Sequence, residues 1–177
     1  MNIKELSREI NQWATEKGFW EKPNPAEKLM LIVSELGEAV EAHRSGRYCR
    51  AELNYIKPYE FEQEVKDTFE DELADVFIHL FDLCYKYNIE LDPGKYAHDY
   101  RLEKIDNVAE CLFFTIKCLV KVYEYGIDFK TLAERELTTF YLDLLYLTKK
   151  WRINIEKHIE LKMKYNNTRP HKHDKNY

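Results

Sequence analysis

The sequence predicts an all-α protein of four-helix-bundle type, on three observations. Glycine and proline number only five each in 177 residues, too few for a fold that must turn at every strand end. Leucine, glutamate, lysine and alanine, all good helix formers, are abundant. Apolar residues recur three and four apart in successive stretches, the period of a helix face and not of a strand. With 45% apolar and 33% charged residues the chain can build one core, so it is read as a single domain over 1–177 and wholesale disorder is excluded.

Each element has its own signal. Ile3, Leu6, Ile10 and Trp13 predict a helix over 3–17, stopped by Gly18, with Phe19 and Trp20 in a short connection. Asn24, Pro25 and Glu27 form an N-cap, a first-turn proline and a capping acid, and Ser45-Gly46 is a stop, so the second helix covers 25–44. Residues 46–60 read as an irregular loop. Leu73, Val76, Leu80, Leu83 and Tyr87 make an apolar seam within a third helix over 61–88, ended by the segment Asn88 to Gly94. Further helices are expected over 102–125, closed by Gly126, over 131–150, and over 154–167, before Pro170.

Charge and cysteine usage narrow the class. Lysines and arginines total 27 against 32 aspartates and glutamates, a net charge of −5 that argues against a nucleic-acid surface spread over the protein. No apolar run approaches the roughly 18 residues that span a bilayer, and Met1 to Glu9 is polar, so a cytoplasmic protein without a membrane partner is expected. Cys49, Cys84, Cys111 and Cys118 include no CxxC pair and fall mainly in apolar helical patterns, which favours buried thiols over zinc or disulfides.

Laid on itself with a shift of 64, the sequence matches Glu72 with Glu136, Leu73 with Leu137, Leu80 with Leu144, Leu83 with Leu147, Lys86 with Lys150 and Ile89 with Ile153. A shift of 80 matches Val40 with Val120 and Gly46 with Gly126, more weakly. An internal degenerate duplication would pack two helical hairpins about a pseudo-twofold axis, with 1–94 as one half and 95–177 as the other.

The chemistry concentrates in four acids. Glu35 and Glu38 on the second helix, and Glu72 and Asp75 on the third, are each spaced i, i+3 and border an apolar seam. If the seams face each other, four like charges converge, which is costly unless cations neutralise them. Oxygen ligands alone select Mg²⁺ or Mn²⁺, ions that hold phosphates together with waters. A di-iron centre is disfavoured because no histidine lies three residues after a glutamate. Ordinary solvated helix faces are the plain alternative. Gly37, between two of the acids, costs about 1 kcal/mol in a helix interior, and close approach of another helix would explain it. His79 and Asp82 continue the stripe, either supporting the acids or as polar edge residues.

Ser34-Glu35-Leu36-Gly37-Glu38-Ala39 followed by Glu72-Leu73-Ala74-Asp75-Val76 resembles the ExxE…ExxD signature of MazG-like proteins, in the all-α nucleoside triphosphate pyrophosphatase superfamily. Lys162 to Pro170 is similar to the family's closing K-x-x-x-N-x-x-R element. Three departures are visible. Ser34 stands where many members carry a further Glu, about 65 residues separate the third helix from the Lys/Asn/Arg helix, and the self-comparison places Thr115, Cys118 and Thr139 where acids would stand, leaving Glu136 alone.

The resemblance implies Mg²⁺-dependent hydrolysis of a nucleoside or deoxynucleoside triphosphate to the monophosphate and pyrophosphate, in a homo-oligomer, most simply a dimer. It assigns Glu35, Glu38, Glu72 and Asp75 to the metal, with Glu38 also the acceptor of a water proton. Lys162 and Arg169 then face phosphate oxygens, and Asn166 phosphate or sugar. Trp20 is a candidate to stack on the base, whereas Trp13 and Trp151 sit at core spacing. The basic tail, with His171, Lys172, His173 and Lys175, is a candidate to fold over the triphosphate. A catalytically silent protein that binds nucleotide and metal to regulate a partner is the alternative, and a non-catalytic helical interaction protein is a further one.

Overall fold

The computed structural model describes residues 2–57 and 59–170. Among the described residues seven α-helices follow one another: α1 Ile3–Glu16, α2 Pro25–Arg44, α3 Phe61–Glu64, α4 Phe69–Lys86, α5 Val108–Tyr125, α6 Lys130–Lys150 and α7 Ile155–Thr168. Short 3₁₀ turns lie at Leu53–Tyr55 and Tyr100–Lys104, and no strand occurs among the described residues. The all-α expectation therefore holds. No described helix is long and apolar enough to cross a membrane.

Asparagine caps set most of the helix starts. Asn2, Asn24, Asn107 and Asn154 each accept a backbone N–H of the first turn, satisfying a donor that the helix leaves open. Two expected helices are shorter than their apolar periodicity suggested. The 61–88 stretch breaks at Asp67, whose φ of 60° is left-handed, and α4 restarts at Thr68, whose hydroxyl accepts from Asp71 N–H. The 102–125 stretch opens as the 3₁₀ turn and becomes α-helical only after the Asn107 cap.

α2 and α4 run antiparallel, the Phe69 N–H donating to Arg47 C=O where the end of one meets the start of the other. α5 and α6 form the second hairpin, joined through Gly126 at φ 82°. α2 packs on both α4 and α5, while α1 and α7 also lie on α4. α4 is thus the central strut, with Leu73, Val76, Phe77, Leu80, Phe81 and Leu83 fully buried against Ile10, Ile32, Leu36, Leu137 and Phe140. Positions paired by the shift of 64 end their helices alike: Asn88 and Arg152 are both left-handed, and Ile89 and Ile153 each donate back to the last turn.

Gly37 is exposed and a Cβ there would meet nothing within 4 Å, so no helix among the described residues approaches it closely and that expectation is corrected. Trp13 packs on Phe19 and Trp151 on Phe69, as their spacing indicated.

His158 on α7 is 3% exposed, its Nδ1 has no partner, and burial lowers its pKa to about 4. The unfolded chain binds a proton at His158 near pH 6.5 that the folded chain refuses, so this residue's own contribution to stability falls as pH drops from about 6.5 towards 4, by on the order of 2 kcal/mol at pH 5. Buried acids whose pKa is raised, such as Asp71, slope the other way, so the contribution is read as a difference between two proteins. Relative to wild type, His158→Gln is expected to gain on the order of 2 kcal/mol in urea unfolding at pH 5 over its value at pH 7.5, and an unchanged difference would reject the assignment.

Candidate metal centre and its flanking pocket

The i, i+3 spacing puts Glu35 and Glu38 on one face of α2, and the antiparallel pairing with α4 brings Glu72 opposite them. One carboxylate oxygen of each lies within 4.8 Å of the others. Glu72 is buried, Glu35 half-buried and Glu38 exposed, so the cluster opens towards solvent at Glu38. Burial raises the Glu72 carboxyl to about 8, the Lys162 charge opposing the shift and Asp75, Asp71 and Glu35 adding to it. Three carboxyl groups at this separation, the desolvated one able to release its proton to an incoming ion, suit a divalent cation with oxygen preference.

Asp75 takes a different place. Its Oδ2 lies 2.7 Å from Lys162 Nζ, and the same ammonium donates to Asp71 Oδ2 at 2.7 Å. Lys162 is 5% exposed and held protonated above its usual range by the two aspartates, although burial works against its charge. Burial also raises both aspartates. Lys162, expected to face phosphate, is therefore already engaged by carboxylates. Asp71 was not singled out in the sequence because the apolar seam ran on through Thr68. The signal was present, since Thr68-x-x-Asp71 has capping-box spacing, and Asp71 Oδ2 accepts from Asp67 N–H at 3.1 Å.

Beside the cluster, Glu35, Asp75, His79, Asp82, Lys28, Asn166 and Arg169 line one pocket, walled by Ile10, Trp13, Phe19 and Ile78. Asn166 is 3% exposed and its Oδ1 has no partner among the described residues, a buried acceptor facing the pocket. Arg169 is half-buried at the pocket edge. Lys28, which no motif in the sequence marks, is 7% exposed, and burial lowers its pKa while Asp82 and Glu27 hold it up. His79 Nε2 stands 3.5 Å from Glu35 Oε1. Burial works against its charged form, yet that hydrogen bond and the Glu35, Asp75 and Asp82 charges raise its pKa overall. His79 thus supports an acid of the cluster.

Asp82 is no edge residue. It is 3% exposed and accepts from Asn11 at 2.7 Å and from the Trp20 indole at 2.8 Å. That corrects Trp20 as a base-stacking platform: the ring is 6% exposed, with the Lys28 and Lys86 ammonium groups 4.5 and 5.1 Å from its centre. Its role is to wedge the α1–α2 connection onto α4. His171, Lys172, His173 and Lys175 lie outside the described residues. In the second hairpin Glu136 is bound by Arg135 at 2.7 Å and Lys121 at 3.2 Å, and no other three-residue metal-binding group occurs among the described residues.

Comparison with protein-family models, curated proteins and solved structures found no match to this chain.

The acid cluster leads to a result in two parts. Glu72→Gln removes a buried carboxylate that favours its neutral form, so the metal-free variant is expected to melt no lower than the wild type. Mg²⁺ at about 100 times its Kd should stabilise the wild type by about 2.7 kcal/mol and leave the variant nearly unmoved. Thermal melts with and without Mg²⁺ check both parts, and equal shifts in the two proteins would remove Glu72 from the site.

Proposed function

We propose that this chain is a Mg²⁺-dependent nucleoside triphosphate pyrophosphohydrolase that releases a monophosphate and pyrophosphate. The observation that supports the reading best is the meeting of Glu35, Glu38 and Glu72 within 4.8 Å, at the edge of a pocket whose buried Asn166 amide oxygen has no partner among the described residues. The resemblance to the MazG-like ExxE…ExxD pattern points the same way.

Glu35, Glu38 and Glu72 would hold Mg²⁺, or Mn²⁺, through carboxylate oxygens. Such an ion, when bound, neutralises triphosphate charge and lowers the pKa of a water nucleophile. Glu38, the exposed member, accepts the proton of the attacking water. His79 keeps Glu35 oriented from behind. Arg169 and Lys28 supply positive charge on the pocket side, the part first given to Lys162. Asp75 acts through the Lys162 pair, as a positioning residue for α4 and α7. Asn166 Oδ1 accepts a hydrogen bond from the sugar or base. Self-association, most simply as a dimer, belongs to the same reading and is checked by sedimentation velocity.

The test is product analysis after incubating the protein and Mg²⁺ with a panel of NTPs and dNTPs. Equal amounts of monophosphate and pyrophosphate, abolished by chelation, are expected. Absence of turnover across the panel would overturn the enzymatic reading, and nucleotide binding that still required Mg²⁺ would favour the silent regulatory protein in its place.

A further inference from the structure

We propose that the groove between α1 and α7 is a docking site for a basic amphipathic helix of a partner protein. Both helices lie on α4, and they run the same way, because Lys17, just past α1, donates to the carbonyls of Asn167 and Arg169 at the end of α7. Between them is an open groove of about 860 Å³. Its floor is apolar, with Ile10 and Ile159 at the base and the half-buried Leu6, Trp13 and Met163 on the sides.

Charge and length select the occupant. Glu5, Glu9 and Glu16 stand along the α1 rim at helical spacing, and among the described residues none of them is in an ion pair. On the α7 rim Lys157 and Lys164 are both bonded to Glu160, and with Glu156 beside them that rim carries no net charge to offset the α1 carboxylates. The groove follows α1 for its 14 residues, about 21 Å at 1.5 Å per residue. A helix of about four turns fits that length, with an apolar stripe for the floor and lysine or arginine along its flank for the acidic rim. An acidic helix or a nucleic acid would meet like charge there.

The probe is a fluorescein-labelled peptide of 14 residues, leucine on one helical face and lysine on the other, read by fluorescence anisotropy without nucleotide or metal. Glu5→Lys/Glu9→Lys/Glu16→Lys is expected to weaken binding by about tenfold or more. Met163→Glu, which alters the floor, should do the same. Glu52→Lys/Glu110→Lys/Glu124→Lys makes the same change in net charge elsewhere and should alter Kd by less than about threefold. Equal weakening by the two triple variants would reduce the effect to overall charge and overturn the proposal, as would absence of peptide binding. A dimer in sedimentation velocity that Met163→Glu dissolves would place a second copy in the groove and overturn it too.

Discussion

Glu38→Gln is expected to lower the rate of pyrophosphate release by about 10² to 10⁴, the range for loss of a positioned proton acceptor. Glutamine keeps the size of glutamate and one carbonyl oxygen while losing the basic site. Because Glu38 is exposed at the mouth of the cluster, the substitution opens no cavity and the melting temperature should hardly move. Two roles must be separated, since the same carboxylate is assigned to the ion. Loss of a ligand weakens Mg²⁺ and is recovered by adding more of it, whereas loss of the proton acceptor persists at saturating Mg²⁺ and changes the pH profile. A residual rate within tenfold of wild type at saturating Mg²⁺ would give the proton to another group.

Lys162→Met is expected to destabilise the fold by about 3–5 kcal/mol, the cost of removing one partner from a buried ion pair. Asp71 is 0% exposed and bonded to the ammonium at 2.7 Å, with Asp75 at the same distance on its other side. Methionine fills most of the volume and leaves two desolvated acids facing each other. For a domain of this length the loss corresponds to a fall of roughly 6–20 °C in melting temperature. Adding Asp71→Asn removes one stranded charge, so the double variant should recover a large part of the loss, which urea unfolding measures as a coupling energy. A single-variant loss below about 1 kcal/mol would mean that the acids are neutralised without Lys162.

The contrast between these residues explains what the sequence could and could not tell. Glu35, Glu38 and Glu72 were legible because their pairing follows from local helical spacing plus one packing step between seams. The start of α2 at Asn24 was legible because a cap acts within three residues, and that of α1 because its apolar period begins at Ile3. The break at Thr68 was hidden by an apolar period that continues through it, even though its cap to Asp71 is also local. The engagement of Lys162 by carboxylates was hidden because Asp71 lies 91 residues away along the chain and Asp75 only four residues after it, and nothing near Lys162 in sequence announces either. Trp20 was misread in the same way: an indole beside a glycine-ended helix resembles a loop platform, and only Asp82, 62 residues on, fixes it inside. Gly37 is unexplained by any contact among the described residues.

The distance in sequence between Lys162 and Asp71 also bears on how the protein is made. Chains emerge from synthesis N-terminus first, at about 5–20 residues per second. α1, α2, α4 and both members of the second hairpin are therefore complete before α7 arrives. Until then Asp71 and Asp75 lack their counter-charge, and α4 cannot settle into its final surroundings without stranding two carboxylates. α7 thus closes the first hairpin electrically, and a nascent chain stalled before residue 162 retains a reason to stay open.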